Sequence, residues 1–506
     1  MVHIVALLVV ITTTPPAAPT GNNSEAAPAV RRSARIAAKS AAERLSFVAH
    51  MQQQLLDIDP ALQSATVPNN DKEASASPIW TAAQHTELTT LRSLNAYTET
   101  PLPPGRKLVG ARWVYALKRD GNGNAITAKA RYVAKGFTQR HGIDYMETHS
   151  STPRAESLRL VWLLANQHGW PIDHIDFTAA YINAEIDTDI YCTPPPGFQR
   201  FLPDGTPLVW KLNKSLYGLK QSGRNWSNEL RNKLTSYGYK RLLSEPCAYI
   251  KVSPAGLISL AINHVDDMSL TGDDTNTNAD TKKHLSRDLP MKDMGAIQHF
   301  VGLRITRTAT TLKVDQEAYI NSIIADNYMD CSEAKLTPPL ELHTLSPRPS
   351  EDPADPRLGN VYSSLLGAIG YAAVMTRPDI SYHHSYLSRF SNNPGEEHMK
   401  QLKNLLRYLK ATAARGLTFR RSTETLQLTC YADSDYGSTV YDRRSICGFA
   451  VFLGTYLGAA FSWASKNQET VAQSTCEAEY MALALACREA VFLKQLLLEL
   501  HQPAGQ

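Results

Sequence analysis

The sequence has few cysteines, and none of them are spaced as in common metal or redox motifs. Seven are scattered over 506 residues, at positions 192, 247, 331, 430, 447, 476 and 487. No two form a C-x-x-C pair, which argues against zinc sites and dithiol redox motifs. An odd number of dispersed cysteines is typical of proteins in a reducing compartment. We therefore expect an intracellular protein.

Long hydrophobic runs and a strong net charge are also missing. The apolar stretch Ile4–Ile11 is far shorter than the roughly 20 residues that cross a bilayer, and no Lys or Arg precedes it as in a signal peptide. No other stretch is long enough for a membrane span, so we expect neither membrane insertion nor secretion. The 52 Lys and Arg against 48 Asp and Glu leave a net charge of +4. This excess is too small to indicate a nucleic-acid partner unless the basic residues cluster.

What is present is the composition of a globular protein with several domains. Hydrophobic residues make up 43% and charged residues 20% of the 506 residues, and single cores stop growing at roughly 250–300 residues. Residues 1–78 are mostly rich in Ala, Ser, Pro, Thr and Asn, which predicts a largely disordered linker with one helix near Ser40–Leu56. We interpret the basic cluster Arg31–Lys39 as a solvated charge run rather than a targeting or RNA-contact segment.

From about Ile79 the pattern becomes that of folded elements. Two strands should flank the turn Asp120–Asn124, because Asp-Gly and Asn-Gly are strong hairpin signals. The proline-rich stretch Leu336–Gly359 predicts a linker or long loop. Periodicity predicts helices over Ser157–Trp170, Tyr362–Met375, Glu397–Lys410 and from about Ser474 to Leu500.

Two adjacent aspartates, Asp266 and Asp267, stand at the tip of an apolar hairpin. The strand before them, Leu257–Asn263, is nearly all apolar, so we expect it to be buried. Two carboxylates at its tip repel each other and need a counter-charge. A divalent cation supplies that charge, and hard carboxylate oxygens suit Mg²⁺. An Asp-Asp pair in a solvated turn is nevertheless common, so the pair indicates a metal site only together with its neighbours.

A third carboxylate at the end of a neighbouring strand would complete such a site. Asp176 is the best candidate, because it ends the apolar strand Ile172–Ile175. Asp173 is the alternative, since period-two alternation could put it on the same face. Carboxylates that hold two Mg²⁺ ions activate a hydroxyl and neutralise the charge on a transferring phosphoryl group.

Several segments resemble, in their order along the chain, the reverse transcriptase of copia-type LTR retrotransposons. The resemblance extends from about Leu102 to the C-terminus. The segments are ARWVYALKRDGNGNAITAKARYVAKGFTQRHGIDYMETHSSTPRAESLRL, IDFTAAYINAEI, LNKSLYGLKQSGRNW and VDDMSLTGDD. Together they are highly specific, although any one alone would be weak.

The resemblance implies an α+β fold shaped like a right hand. Residues 79–335 would form fingers, palm and thumb, and residues 336–422 a linker and helical connection. The implied activity is RNA-directed DNA synthesis, in which two Mg²⁺ ions, or Mn²⁺ in vitro, support deoxynucleotide transfer to a primer 3′-hydroxyl. The implied partners are an RNA template, a DNA primer, their RNA–DNA hybrid, dNTPs and other parts of a polyprotein. The implied location is the cytoplasm or nucleus.

The resemblance also assigns roles to single residues. Asp176, Asp266 and Asp267 match the catalytic metal-binding aspartates of the palm. Tyr181 matches the aromatic residue whose ring would clash with a 2′-hydroxyl. Lys129 and Arg131 match the cations that bind the incoming triphosphate. Gln221 matches a residue that helps position the nucleotide sugar. Met294–Ile305 matches the segment that binds the primer end.

The C-terminal segments YADSDYGSTVYDRRSICGFAVFLG and SWASKNQETVAQSTCEAEYMALALACREAVFLKQLLLEL resemble the RNase H domain of the same elements. Asp433 matches its first metal carboxylate and Glu479 its helical glutamate, while Glu477 should point elsewhere on the helix. The family carries a further aspartate on a strand after this helix, which ELHQPAGQ lacks. The resemblance therefore implies an incomplete α/β RNase H-like domain over residues 423–506. We expect its RNase H activity to be weak or lost.

Three residues depart from the family pattern near the first site. His264 stands where the family has Tyr, Asn263 replaces an apolar strand residue, and Ala184 stands where Gly is usual. An alternative reading is therefore a catalytically impaired remnant that only binds nucleic acid. An unrelated Mg²⁺-dependent nuclease would explain the carboxylates. It would not explain why Lys129, Arg131, Tyr181 and Gln221 follow one another in this order along the chain.

Overall fold

A computed structural model describes residues 9–11, 62, 64–119, 125–327, 332–340, 342–349, 355–423, 426–439, 441–454 and 458–501. The chain divides into two compact units. The first unit contains residues 1–15, 151–178 and 231–506, and the second contains residues 16–150 and 179–230. The predicted region 79–335 contributes to both units. Residues 12–61, on which most of the predicted N-terminal linker falls, lie outside the described residues.

The described residues form strands and helices that we number in chain order. The strands are β1 Val9–Ile11, β2 Tyr97–Pro101, β3 Leu108–Val109, β4 Ala111–Arg119, β5 Ala125–Ala134, β6 Ile172–Phe177, β7 Tyr191–Cys192, β8 Leu208–Leu212, β9 Lys240–Arg241, β10 Ala248–Val252, β11 Ile258–His264, β12 Asp267–Gly272, β13 Met291–Ala296, β14 His299–Phe300, β15 Leu303–Arg307, β16 Thr311–Asp315, β17 Gly416–Arg420, β18 Leu428–Ser434, β19 Ile446–Leu453 and β20 Ser462–Asn467. The helices are α1 Asp71–Ser75, α2 Pro78–Ser93, α3 Ala155–His168, α4 Ala180–Asn183, α5 Ser222–Ser236, α6 Thr275–Asp288, α7 Glu317–Asp326, α8 Pro356–Met375, α9 Ser381–Ser388, α10 Glu396–Ala411 and α11 Thr475–Glu499.

The largest sheet of the first unit has six strands in the order β13-β6-β12-β11-β10-β9. Every pairing in it is antiparallel. The apolar sequence of β11 buries it except at its last residue, His264, which confirms the predicted buried strand before the aspartates. Helix α3 packs on the same core and ends at Gly169, whose φ of 73° permits the left-handed C-cap. The predicted helix over Ser157–Trp170 is therefore confirmed, with shifted ends.

A second core in the first unit is helical. It brings together α7, α8, α9 and α10, whose buried side chains include Ile323, Tyr362, Leu387 and Leu405. Leu342 and Leu345 of the predicted linker are buried in this core, so that stretch packs as a long loop. The four-stranded sheet β14-β15-β16-β17 belongs to the same unit.

Helix α8 corrects the expectation that no stretch is long enough to cross a membrane. By length and composition alone its 20 residues pass that criterion. Its face with Tyr362, Leu365 and Ile369 packs into the helical core. Core helices of globular proteins commonly combine this length and composition, so the helix is weak evidence for a membrane.

The C-terminal part of the first unit is an antiparallel sheet covered by α11. Its order is β1-β18-β19-β20, and residues such as Leu428, Val451 and Leu493 form its core. The Ser474 hydroxyl accepts a hydrogen bond from the Glu477 N–H at 3.1 Å and so caps α11. This confirms the helix predicted from about Ser474 to Leu500.

The second unit is built around the β4–β5 hairpin, where Trp113 pairs with Tyr132. The predicted turn Asp120–Asn124 between these strands lies outside the described residues. A four-stranded sheet, β2-β8-β7-β3, belongs to the same unit. Backbone segments approach closely at Gly218, where an added Cβ would lie 2.2 Å from the Ala134 carbonyl oxygen. Its φ of +88° also favours glycine.

Candidate active site

Strand pairing brings the predicted catalytic aspartates together. Asp176 at the end of β6 lies directly opposite Asp267 at the start of β12. Asp266 precedes Asp267 in the two-residue turn between β11 and β12. Because side chains of directly opposite residues project from the same face of a sheet, Asp176 and Asp267 share one face, with Cβ atoms about 4.5–5.5 Å apart.

Asp173, the alternative third carboxylate, lies on the opposite face of the sheet. It is three positions before Asp176 in the same strand, and odd spacings change face. The expectation that alternation could put both on one face was therefore wrong. The Asp173 carboxylate forms an ion pair with Lys282 Nζ at 2.7 Å, and the Asp293 carboxylate lies 3.0 Å from the same nitrogen. Burial opposes the Lys282 charge, but the hydrogen bonds to the two carboxylates outweigh it and raise the pKa of Lys282.

The turn that carries Asp266 is strained. Val265 has a φ of 57°, which is a sterically unfavourable conformation for a β-branched residue and costs on the order of 1–3 kcal/mol. The Phe177 N–H donates to the Asp266 carbonyl oxygen at 2.8 Å and ties the turn to β6. Such strain concentrates at functional turns, and here it lies between His264 and the two aspartates.

One row of side chains crosses four neighbouring strands at this end of the sheet. His264 lies opposite Asp267, Asp267 opposite Asp176, and Asp176 opposite Lys292. Directly opposite like charges destabilise a sheet, whereas opposite charges stabilise it. Lys292 is exposed and adds a positive charge beside Asp176. Lys292 could not be predicted from the sequence, because only the β6–β13 register brings it to this row.

His174 is a second residue at this site that was not predicted from the sequence. Its Nε2 lies 2.7 Å from the Asp267 Oδ1 atom. Its ring packs edge-on against Phe300, with ring centroids 5.5 Å apart. The sequence spacing of two residues already indicated that His174 lies on the same face as Asp176. It did not indicate that His174 contacts Asp267, because that contact depends on the pairing of β6 with β12.

The donor chemistry of the three aspartates fits Mg²⁺, which prefers carboxylate oxygens. In the part of the chain that the structure describes, no three His, Cys, Asp or Glu side chains converge on one metal position. Asp176 and Asp267 supply two neighbouring carboxylates, and Asp266 supplies one from the adjacent turn. Repulsion between the opposite carboxylates favours a cation at this position.

The predicted triphosphate-binding cations lie on one strand of the second unit. Lys129 and Arg131 are two positions apart on β5 and therefore share a face. The Arg131 guanidinium lies over the Tyr217 ring, 4.8 Å from its centroid. Tyr181 meets the same ring edge-on at 5.2 Å. Arg131 and Tyr181 are thus brought together through Tyr217.

Gln221, which the resemblance matches to a residue that helps position the nucleotide sugar, lies inside the second unit. Its side chain is completely buried. The Gln221 Nε2 donates to the Asp144 carbonyl oxygen at 2.9 Å, and its Oε1 accepts from Gln139 Nε2 at 3.0 Å. Both ends of the amide are therefore used inside the second unit, and Gln221 stabilises the loop that carries Asp144.

The two predicted C-terminal carboxylates also lie near each other. Asp433 is on β18 opposite Gly448, and Glu479 is in the first turns of α11. Partial burial and the negative charge of Asp433 raise the pKa of Glu479, although the Ser434 N–H donates to its carboxylate. Glu477 turns away and accepts from the Gln473 N–H at 2.7 Å, as expected.

Comparison with known proteins finds sequence similarity between this chain and one family. Residues 94–341 match the family described as reverse transcriptase (RNA-dependent DNA polymerase). The chain is 35% identical over 428 residues to the retrovirus-related Pol polyprotein from transposon TNT 1-94 of Nicotiana tabacum, covering 83% of this chain and 32% of that one. It is 30% identical over 312 residues to a putative transposon Ty5-1 protein of Saccharomyces cerevisiae, covering 61% of this chain and 97% of that one.

A solved foamy viral protease–reverse transcriptase in complex with double-stranded DNA matches with a TM-score of 0.43 and 11% identity, over 81% of this chain and 60% of that one. The chain spans about a third of the length of the tobacco Pol polyprotein.

Proposed function

Because the chain belongs to the reverse transcriptase family of copia-type retrotransposon Pol polyproteins, we propose that it is an RNA-directed DNA polymerase. The observation that carries the proposal is the β6–β12 register, which sets Asp176 opposite Asp267 beside the turn with Asp266. Carboxylates from two adjacent strands can hold two divalent ions.

Asp176, Asp266 and Asp267 would hold two Mg²⁺ ions, or Mn²⁺ in vitro. Bound there, the ions supply activation of the primer 3′-hydroxyl and neutralisation of charge on the leaving pyrophosphate. The aspartates orient the reacting groups through fixed backbone positions on β6 and β12. The strained turn at Val265 holds Asp266 at the strand tip.

Residues of the second unit would select and bind the incoming dNTP. Lys129 supplies a point charge and Arg131 a planar, bidentate donor for phosphate oxygens. Tyr181 would exclude a 2′-hydroxyl by its ring. The Arg131–Tyr217–Tyr181 contacts support this assignment, because they order the cation and the aromatic ring together.

The proposed partners are an RNA template, a DNA primer, their hybrid and other parts of the polyprotein. These nucleic acids would bind mainly through backbone phosphates, so affinity should fall with rising salt. The tobacco relative is a Pol polyprotein, which supports the polyprotein context. We also propose that the protein resides in a reducing compartment, as the scattered cysteines indicate. The six cysteines that the structure describes are free thiols.

Primer extension on an RNA template tests the polymerase proposal. We expect Mg²⁺-dependent extension by the wild type and a loss of about 100-fold or more in Asp266→Asn. Asp173→Asn is a matched control, because it removes a carboxylate from the opposite face of the same strand pair. Equal signals from wild type and Asp266→Asn would contradict the proposal.

The runner-up is an impaired remnant that binds nucleic acid, and His264 is the residue that favours it. It lies opposite Asp267 in the row of charged side chains. If the wild type extends primers weakly, His264→Tyr should raise the rate. An unchanged rate in His264→Tyr would show that His264 does not cause the weak extension.

For residues 423–506 we propose an RNase H-like role in which Asp433 and Glu479 hold a divalent ion weakly. Asp435 is the next carboxylate in sequence, but it accepts hydrogen bonds from the Ile446 N–H and the Ser438 hydroxyl. A site with few free carboxylates binds cations poorly. Cleavage of an RNA–DNA hybrid should therefore be slow, and fast Mg²⁺-dependent cleavage that Asp433→Asn abolishes would overturn this.

A further inference from the structure

His174 contacts the proposed polymerase site through Asp267, and the family resemblance assigns it no role. It lies on β6 two positions before Asp176, on the face that carries Asp176 and Asp267. Its direct cross-strand partner is Ser269. The His174 side chain therefore crosses diagonally from β6 to reach Asp267 on β12.

The contact is short and partly shielded from solvent. The Nε2–Oδ1 distance is 2.7 Å, and the side chains of His174 and Asp267 are 12% and 25% exposed. With Asp267 ionised, the imidazole N–H is the donor and the carboxylate oxygen the acceptor. Such charge-assisted hydrogen bonds are short and strong, so this one restrains the Asp267 carboxylate.

The other side of the imidazole is held by packing. Phe300 is buried and meets the ring edge-on at 5.5 Å. Trp162 packs edge-on against Phe300 at 5.4 Å and donates from Nε1 to the Ser269 hydroxyl at 3.1 Å. The imidazole is thus fixed between an aromatic cluster and Asp267, which keeps its orientation constant.

We propose that His174 is a positioning residue that orients Asp267 for cation binding; this rests on the proposed polymerase function. By holding Oδ1, His174 leaves the second oxygen, Oδ2, directed away from the imidazole and available to a metal ion. Partners of this kind, which hydrogen-bond a metal-ligating group, typically change metal affinity 10–100-fold when removed.

Three substitutions separate the hydrogen bond from packing. His174→Gln keeps a donor near the Nε2 position, His174→Asn has a side chain too short to reach Asp267, and His174→Leu keeps volume without a donor. Thr271→Ala is the matched control. It removes a buried hydroxyl on the same strand as Asp267, which donates to the Pro171 carbonyl oxygen and lies outside the contacts that hold His174.

Mn²⁺ binding to the protein without nucleic acid, measured by electron paramagnetic resonance, gives a readout apart from catalysis. We expect His174→Asn and His174→Leu to weaken binding about 10–100-fold, and His174→Gln to stay within a few-fold of wild type. In primer extension the half-saturating Mg²⁺ concentration should rise in parallel, while the KM for dNTP stays unchanged. Thr271→Ala should lower the Tm without changing either metal readout.

The outcomes separate this inference from the proposed function. Wild-type-like Mn²⁺ binding in folded His174→Asn and His174→Leu would overturn the positioning role, even if the wild type extends primers. Mn²⁺ binding that His174 variants weaken, in a protein that extends no primer, would retain the role and overturn the polymerase proposal. A wild type that neither binds Mn²⁺ nor extends would overturn both.

Discussion

Two of the carboxylate pairs in the first unit are proposed here to bind a metal ion. One pair lies on two neighbouring strands, and the other lies on a strand and a helix. Asp176 and Asp267 face each other across β6 and β12, with His174 bonded to Asp267 and Lys292 opposite Asp176. Asp433 and Glu479 join β18 to α11, and there the negative charge of Asp433 contributes to raising the pKa of Glu479.

The difference shows how the supporting elements decide the surroundings of a charge. Neighbours in a sheet come at fixed spacing, so a carboxylate pair on two strands is accompanied by the next strand's side chains. Beside Asp433 the row continues with Gly448 on β19 and Ser465 on β20, which carry no charge, and Glu479 comes from the helix. The hairpin pair therefore has an ordered donor and a cation beside it, and we expect it to be the stronger metal site.

The largest expected effect separates the two pairs by activity. Asp267→Asn should reduce primer extension about 100-fold or more, because it removes a metal ligand. Asp433→Asn should leave extension unchanged and reduce only cleavage of an RNA–DNA hybrid. Steady-state extension and cleavage assays on both variants measure this. Loss of extension in a folded Asp433→Asn protein would break the distinction between the pairs.

A smaller expected effect concerns Asn263, a polar residue at a buried position beside the hairpin pair, and its influence on the free energy of unfolding. Asn263 is buried on β11, and its Oδ1 has no hydrogen-bond partner among the residues that the structure describes. Asn263→Leu should raise the free energy of unfolding by about 1–2 kcal/mol, because an unsatisfied buried polar group is removed. Urea denaturation measures the change.

A matched variant controls for volume in that measurement. Asn278 is also buried, and its Nδ2 has no partner among the described residues, but its Oδ1 accepts a hydrogen bond from the Ser259 hydroxyl that the substitution would remove. Asn278→Leu should therefore lower stability. A destabilised Asn263→Leu protein would show that the amide contributes to the hairpin.

The next effect concerns the opposite face of β6. Asp173→Asn breaks an ion pair with Lys282 that is largely shielded from solvent. We expect a loss of about 0.5–1 kcal/mol in unfolding free energy, since Lys282 keeps Asp293 as a partner. Extension should change less than about threefold, because Asp173 faces away from Asp176. A loss comparable with that of Asp176→Asn would contradict the assignment of faces.

The smallest effect is a pH dependence at the strand–helix pair. The pKa of Glu479 is raised above its ordinary 4.5, by partial burial first and by Asp433 second. The folded state then binds this proton more tightly than the unfolded state, so ionised Glu479 destabilises the fold above its raised pKa, and the penalty vanishes below 4.5. Glu479→Gln should raise the Tm at pH 7, with a gain that shrinks towards pH 4. A gain in Tm that grows on acidification would contradict a raised pKa of Glu479.

Local patterns predicted the elements that carry these sites. Ser474 and the apolar period after it predicted α11, and the apolar run before Asp266 predicted a buried β11. The order of motifs indicated the family. The expectation for Asp173 was wrong although an odd spacing already excluded it, and the length of α8 was overlooked.

Other features could not be read from the sequence because they depend on distant partners. Gln221 matches a residue that helps position the nucleotide sugar, but its hydrogen bonds to Gln139 and Asp144 in another segment could not be predicted from that motif. His174 reaches Asp267 only through the β6–β12 register.

The sequence by itself determined the strands, the helices and the residue types available for metal chemistry, because periodicity and apolar runs act over short distances. Only the tertiary structure decided which charges meet. Pairing of β6 with β12 and β13 brought Asp176, Asp267 and Lys292 into one row and turned Asp173 towards Lys282. A one-residue change of register would move every side chain of a strand to the other face, so the site exists only in the assembled sheet.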